Sequence, residues 1–141
     1  MQRIGSAHWT GGLKDGHGTV STASGVLKDT QYSFSTRFEN GVGTNPEELL
    51  GAAHAGCFSM ALSGQLDAVG LKAQSIDTKA TVTLEKTDAG FGITSVHLDL
   101  DAYIPGGDKE KFMTAANNAK AGCPVSKLFN TKITLDAKLR T

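Results

Sequence analysis

A chain of 141 residues is long enough for one domain and short for two, each of which would have to fold on roughly 70 residues. With 39% apolar and 20% charged residues, 17 glycines and three prolines, it falls outside the disordered, collagenous and low-complexity classes. Fourteen Lys and Arg offset 14 Asp and Glu, which removes the electrostatic reason to expect a nucleic acid or an anionic membrane as partner. The opening MQRIGSAHWTGG has no apolar stretch of the secretion-signal kind, and the longest weakly polar run, residues 49–62, is too short to span a bilayer. A single domain over residues 1–141 in the cytoplasm is expected.

Residues 1–44 read as strands and turns: glycines cluster there and no segment sustains a helical period. The clearest strand is 31–38, with Tyr32, Phe34, Thr36 and Phe38 on one face and Arg37 on the other. Asn40-Gly41 then supplies a turn. The next unit begins with helix-start signals: Asn45 can cap, Pro46 suits the first helical position, and Glu48 at the third can complete a capping box.

Between positions 49 and 62, 12 of 14 residues are apolar or small, leaving only His54 and Ser59. Such a helix should be enclosed on nearly all sides, which a lone small domain has difficulty providing. A homodimer in which the second chain supplies the missing cover is the physical expectation. Gly70 ends the helix and leads into a strand over 72–86, with Ile76, Thr78, Ala80, Val82 and Leu84 on its less polar face. After a turn at 88–90 comes its hairpin partner, carrying Val96, Leu98, Leu100, Ala102 and Ile104. Asp108 opens a second amphipathic helix with Phe112, Ala115, Ala116 and Ala119 at helical spacing, Pro124 a short third one, and a last strand alternates through 131–139. Hairpins, a buried helix, a hairpin, two helices and a strand make an α+β fold.

Two cysteines, Cys57 and Cys123, are too few for a disulfide framework and form no C-x-x-C pair. They are either unrelated buried thiols or a reactive pair brought together by the fold. Cys57 is too far into its helix for the helix dipole to lower its pKa, so a reactive thiolate would need a cation. Of three arginines, Arg3 and Arg140 are near the ends, leaving Arg37, whose guanidinium can also receive a carboxylate from Glu47 or Glu48. A solvated surface role is the alternative for Arg37. In a continuous helix the ten residues from Glu47 to Cys57 span about 15 Å, so either the first turn deviates or a partner chain contributes the glutamate. Cys123 precedes Pro124, where a following helix can place free N–H groups near the sulfur, suiting a resolving thiol as well as a plain helix boundary.

His54, three residues before Cys57, has three competing assignments: a packed and hydrogen-bonded histidine, the base of a Cys-His hydrolase, or a metal ligand. In the last case Cys57, Cys123 and His54 would be joined by Glu47, without the familiar short ligand spacing. His8, His17 and His97 show no ligand spacing, no phosphate-cradling glycine motif is present, and Trp9 with Tyr32 gives little support for a nucleic-acid platform.

TNPEELLGAAHAGCFSMAL and AKAGCPVSKLF, together with FSTRF at 34–38, resemble the osmotically inducible protein C and organic hydroperoxide resistance family, closer to its osmotically inducible branch. The resemblance covers essentially the whole chain. It implies an interwoven homodimer with long central helices enclosed by sheets and active sites at the dimer interface. It further implies a thiol-dependent peroxidase without metal or cofactor, in which Cys57 matches the peroxidatic cysteine, Cys123 the resolving cysteine, Arg37 the activating arginine and Glu47 its carboxylate partner. The expected cycle reduces organic hydroperoxides, and hydrogen peroxide more weakly, through a Cys57 sulfenic acid and a Cys57–Cys123 disulfide. Recycling would fall to an external dithiol, in one form a lipoyl-bearing protein. Phe38, Phe58, Met60 and Phe129 are candidates for an apolar substrate passage as well as for ordinary core. A noncatalytic redox sensor using the same disulfide is the main alternative.

Overall fold

A computed structural model describes all 141 residues, in two compact units, Met1–Leu49 and Leu50–Thr141. The first holds an antiparallel sheet of β1 (Gly5–Thr10), β2 (His17–Thr22) and β3 (Thr30–Tyr32) in that order, followed by α1 (Phe34–Phe38). The 31–38 strand expected from alternation is therefore corrected: pairing ends at Tyr32 and a helical turn takes over. Its cause is local. Ser33 Oγ accepts the Thr36 N–H at 3.4 Å while Thr36 Oγ1 accepts the Ser33 N–H at 2.8 Å, a reciprocal cap with threonine in the usual place of Glu or Gln. Phe34 and Phe38, which share a strand face at even spacing, are equally neighbours at i and i+4, and their ring centroids lie 4.8 Å apart. Asn40-Gly41 makes no hairpin; the Gly41 N–H instead bonds to Ser35 O beyond the end of α1.

The long helix α2 (Pro46–Ala68) starts where its signals place it. Asn45 Oδ1 accepts the Glu48 N–H at 2.8 Å, but the Glu48 carboxylate accepts from the Thr44 hydroxyl at 2.8 Å, so the expected capping box is only half realised. At the other end the Leu71 N–H bonds to Leu66 O and the Gly70 N–H to Asp67 O, with Gly70 at φ +75°, the left-handed residue such a terminus requires.

In the second unit β4 (Ser75–Thr87) and β5 (Gly90–Tyr103) form a long antiparallel hairpin, and β6 (Lys132–Arg140) joins β5 in parallel after α3 (Lys109–Gly122) and α4 (Pro124–Leu128). One sheet face carries the alternating apolar residues; Val96, Leu98, Leu100, Ala102 and Ile104 of and just beyond β5 are buried with Phe58, Leu62 and Leu66 of α2 and Phe112, Ala115, Ala116 and Ala119 of α3. Each large side chain so buried contributes about 1.5–3 kcal/mol. Helix and sheet come close at Gly51, where a Cβ would lie 3.1 Å from the Ala80 carbonyl oxygen, and the Ser59 hydroxyl meets that of Thr78 at 2.8 Å. Enclosure of α2 is incomplete within the chain: Ala52, Ala53, Gly56 and Met60 are exposed, Met60 at 80%. No helix is long and apolar enough to cross a membrane.

Candidate active site

Among the sequence-predicted site residues, the first unit brings Arg37 and Glu47 together. Arg37 stands in the last turn of α1 and Glu47 in the first turn of α2. Arg37 Nε donates to both carboxylate oxygens at 3.0 and 3.3 Å, and Nη2 donates to Oε1 at 2.8 Å. This fork fixes the guanidinium plane, something a lysine could not reproduce. Glu47 is buried, whereas the Arg37 side chain keeps 40% of its surface exposed, so one edge of the cation remains available. Glu48 is occupied by Thr44 and takes no part in the pair. Beside Arg37 lies a cavity of about 170 Å³ whose walls include Trp9, Leu13, Tyr32, Phe34 and Phe38. Trp9 and Tyr32, set aside as a stacking platform, are thus wall residues with ring centroids 5.4 Å apart.

The second unit brings the sulfurs together. Both cysteines are free thiols; Cys57 on α2 is half-buried and Cys123 fully buried. Cys123 closes α3, its N–H bonded to Ala119 O, and simultaneously caps α4, its sulfur accepting the Ser126 N–H at 3.4 Å. The free N–H groups expected after Pro124 are therefore present and directed at sulfur. Burial pushes the Cys57 thiol up from its ordinary value of 9.0; the Val125 backbone N–H pulls it down, and hydrogen bonding and charge interaction with the adjacent Cys123 push it up again.

One nitrogen of His54 is hydrogen-bonded as in the first of its three assignments. The side chain is fully buried, its Nε2 lies 2.7 Å from Ser126 Oγ, and its ring meets Phe129 edge-on at 5.1 Å. Its hydrogen-bond partner is Ser126 and not Cys57, the partner a Cys-His hydrolase would require. Burial holds its pKa below 6.5, favouring the neutral ring. Ser126 also accepts the Cys123 S–H at 3.1 Å. Sequence reasoning passed over this serine, although its place three residues after a cysteine cap is the position from which an N–H and a hydroxyl both reach the capping sulfur.

Of the candidates for a substrate passage, Phe38 lines the cavity beside Arg37, Phe58 is core, Phe129 packs on His54 and Met60 is exposed. Away from the sulfurs, the parallel register of β5 and β6 pairs Asp99 with Asp136, with His97 Nε2 3.3 and 3.2 Å from the two carboxylates and Nδ1 hydrogen-bonded with Thr134 Oγ1. A larger concavity of about 550 Å³ over this polar sheet face is lined by Lys79, Asp99, Asp101, Asp136 and Lys138 among others, and by none of the predicted site residues.

Two free thiols thus adjoin one another in this α+β chain, one capping α4 and one on the long helix α2, a layout that suits a cysteine-based redox protein. The OsmC-like protein family profile matches residues 38–138, and the chain belongs to that family. It is 55% identical to Peroxiredoxin OsmC of Escherichia coli (strain K12) over 141 residues, 100% of this chain and 99% of that protein. It is 31% identical to the Organic hydroperoxide resistance protein OhrB of Bacillus subtilis (strain 168) over 125 residues, covering 86% of this chain and 87% of the relative. The crystal structure of OhrB of Bacillus subtilis is similar with a TM-score of 0.67 at 25% identity, over 97% of this chain and 98% of that one. An OsmC-like protein from Mycoplasma pneumoniae shares the fold with a TM-score of 0.77 at 14% identity, over 100% and 99% of the two chains. The chain is a cysteine-based peroxidase of this family.

Proposed function

We propose that residues 1–141 act as one thiol peroxidase domain that reduces organic hydroperoxides, and hydrogen peroxide more weakly, to alcohol or water. The observation that carries this reading is the contact of two free thiols, Cys57 and Cys123, in a chain so similar to a peroxiredoxin. The Cys57 thiolate attacks the distal peroxide oxygen, the O–O bond breaks, and the alkoxide leaves and takes up a proton, giving a sulfenic acid and an alcohol. Cys123 then displaces hydroxide from the sulfenic sulfur, forming the Cys57–Cys123 disulfide and water. An external dithiol, in one form a lipoyl-bearing protein, restores both thiols.

Burial raises the Cys57 pKa, so the first step needs a cation. Arg37, held by Glu47, has the free edge to provide it. The first turn of α2 does not deviate: the helix runs unbroken from Pro46, and ten residues from Glu47 to Cys57 rise about 15 Å along its axis. In this reading the pair acts on the Cys57 of a second copy, which makes the dimer part of the catalyst. The exposed stripe of Ala52, Gly56 and Met60 on α2 supports the same assembly, since small residues let another helix approach closely. The apolar cavity beside Arg37 suits the hydrocarbon part of an organic hydroperoxide. A cytoplasmic setting, where reduced thiols are maintained, suits such a cycle.

Time-resolved intact mass and disulfide mapping after one equivalent of cumene hydroperoxide, then dihydrolipoamide, tests the cycle, with Cys57→Ser and Cys123→Ser proteins alongside. Rapid formation of the Cys57–Cys123 bond, reversed by the dithiol over many turnovers, is expected. Persistently reduced cysteines would sink the assignment, and a single stoichiometric oxidation without turnover would point to a sensor.

A further inference from the structure

His54 is a fully buried titratable side chain that the cycle above leaves without a task. Packing alone accounts for it poorly, because its Nδ1 is buried and meets no hydrogen-bond partner within the chain. A buried polar atom left without a partner destabilises the fold. Its other nitrogen begins a line of contacts that ends on sulfur: Nε2 to Ser126 Oγ at 2.7 Å, then Ser126 Oγ to Cys123 Sγ at 3.1 Å, with Cys123 in turn against Cys57.

The directions of these bonds turn on the tautomer of His54. Ser126 Oγ carries one proton and accepts the one on Cys123. With Nε2 unprotonated its two neighbours are an imidazole nitrogen and a thiol sulfur, nitrogen is by far the stronger acceptor, and the hydroxyl donates to His54 Nε2. The ring proton then sits on the orphaned Nδ1. A histidine kept only for packing would take the other tautomer, donating Nε2–H to the serine and leaving a bare nitrogen as the cheaper orphan.

We infer that Ser126 and His54 form the proton relay of the resolving step, with Ser126 a catalytic residue touching the reacting sulfur and His54 a positioning and proton-holding residue behind it. This rests on the peroxidase cycle proposed above. As Cys123 sulfur attacks the Cys57 sulfenic sulfur, the S–S bond forms and the S–O bond breaks, hydroxide leaving with the electron pair. The Cys123 proton passes to Ser126 Oγ while the serine proton passes to His54 Nε2. The departing hydroxide, on the far side of the Cys57 sulfur, takes its proton from water, and the buried imidazolium, disfavoured by its surroundings, afterwards gives one proton back to solvent. The sum is one sulfenic acid and one thiol converted to one disulfide and one water. The arrangement gives a fully buried thiol, otherwise cut off from solvent bases, a place to send its proton.

The test joins a spectroscopic readout on the unaltered reduced protein to kinetics on variants. Nitrogen-15 NMR of labelled histidine should show His54 as the Nδ1–H tautomer, and an Nε2–H ring would overturn the relay whatever the variants do. Rapid-quench mass spectrometry with cumene hydroperoxide then separates sulfenic acid formation from disulfide closure. In Ser126→Ala and in His54→Gln, which keeps an acceptor but no base, closure should slow by about tenfold or more relative to the oxidation step in the same sample. Ser126→Thr, which restores the hydroxyl, should recover most of that loss. Closure at the original rate in Ser126→Ala or His54→Gln overturns the relay alone. Absence of any Cys57–Cys123 bond in the unaltered protein overturns the cycle and the relay with it.

Discussion

Arg37 and Glu47 are locked together by three short contacts of 2.8, 3.0 and 3.3 Å, one residue at the end of a five-residue helix and the other in the first turn of α2. The carboxylate is buried and the guanidinium is not, so the glutamate serves to aim the arginine and leaves part of its charge unspent. Under the proposed cycle, replacing Arg37 by alanine should slow Cys57 oxidation by more than about tenfold without changing the oligomeric state, since both thiolate and departing oxygen would lose their counter-charge. Glu47→Gln, which retains hydrogen-bonding capacity and loses the charge, should cost less than Arg37→Ala. Stopped-flow oxidation beside light scattering measures both; equal rates for Arg37→Ala and the parent would remove the arginine from the mechanism.

If Arg37 of one chain serves Cys57 of another, two inactive proteins can repair each other. A dimer of one Arg37→Ala chain with one Cys57→Ser chain has one site with both residues intact and one with neither. Unfolding and refolding an equimolar mixture should therefore restore activity at about one quarter of all sites, from random pairing of chains. Steady-state peroxidase assays before and after mixing decide the matter. A mixture as inactive as its parents would place the arginine and the cysteine in the same chain.

Much of this was legible in the sequence because the informative patterns were local. Asn45 and Pro46 opened α2, the alternation through Val96 to Ile104 marked the buried face of β5, and Cys123-Pro124 announced a sulfur at a helix start. The misreading of 31–38 has the same origin, for Phe34 and Phe38 satisfy both a two-residue and a four-residue spacing, and only the Ser33–Thr36 cap separates the cases. Glu48 was assigned to the cap by position, but the Thr44 hydroxyl takes its carboxylate. Contacts made by distant segments were beyond local pattern. His54 and Ser126 are 72 residues apart, and the parallel register that sets Asp136 beside Asp99 depends on a crossover through two helices.

Gly51 sets how closely α2 approaches β4. A Cβ there would lie 3.1 Å from the Ala80 carbonyl and 3.6 Å from Val82 Cγ2, and the nearer atom is backbone within a sheet, which cannot swing aside. Alanine also brings a gain in helix propensity that offsets some of the crowding. Valine does not escape it, and Gly51→Val should destabilise the protein by roughly 2–3 kcal/mol through forced separation of helix and sheet. Urea unfolding of the reduced protein reads the change; an unaltered midpoint would show that the helix can shift at no cost.

His54 also predicts how stability responds to acid. Its folded pKa is lowered by burial, so below its ordinary value of about 6.5 the unfolded chain binds a proton that the folded chain refuses. The contribution is fully present above that pH and is lost as pH falls toward the lowered folded value, with a slope of at most about 1.4 kcal/mol per pH unit. His54→Gln has no proton to take up in either state. Between pH 7.5 and 5 the unfolding free energy of the parent should therefore decline more steeply than that of the variant, in urea titrations run on reduced samples. Parallel curves would mean that the folded protein accepts a proton on His54 as readily as the unfolded chain, and that the ring is less sequestered than its buried position beside Ser126 and Phe129 requires.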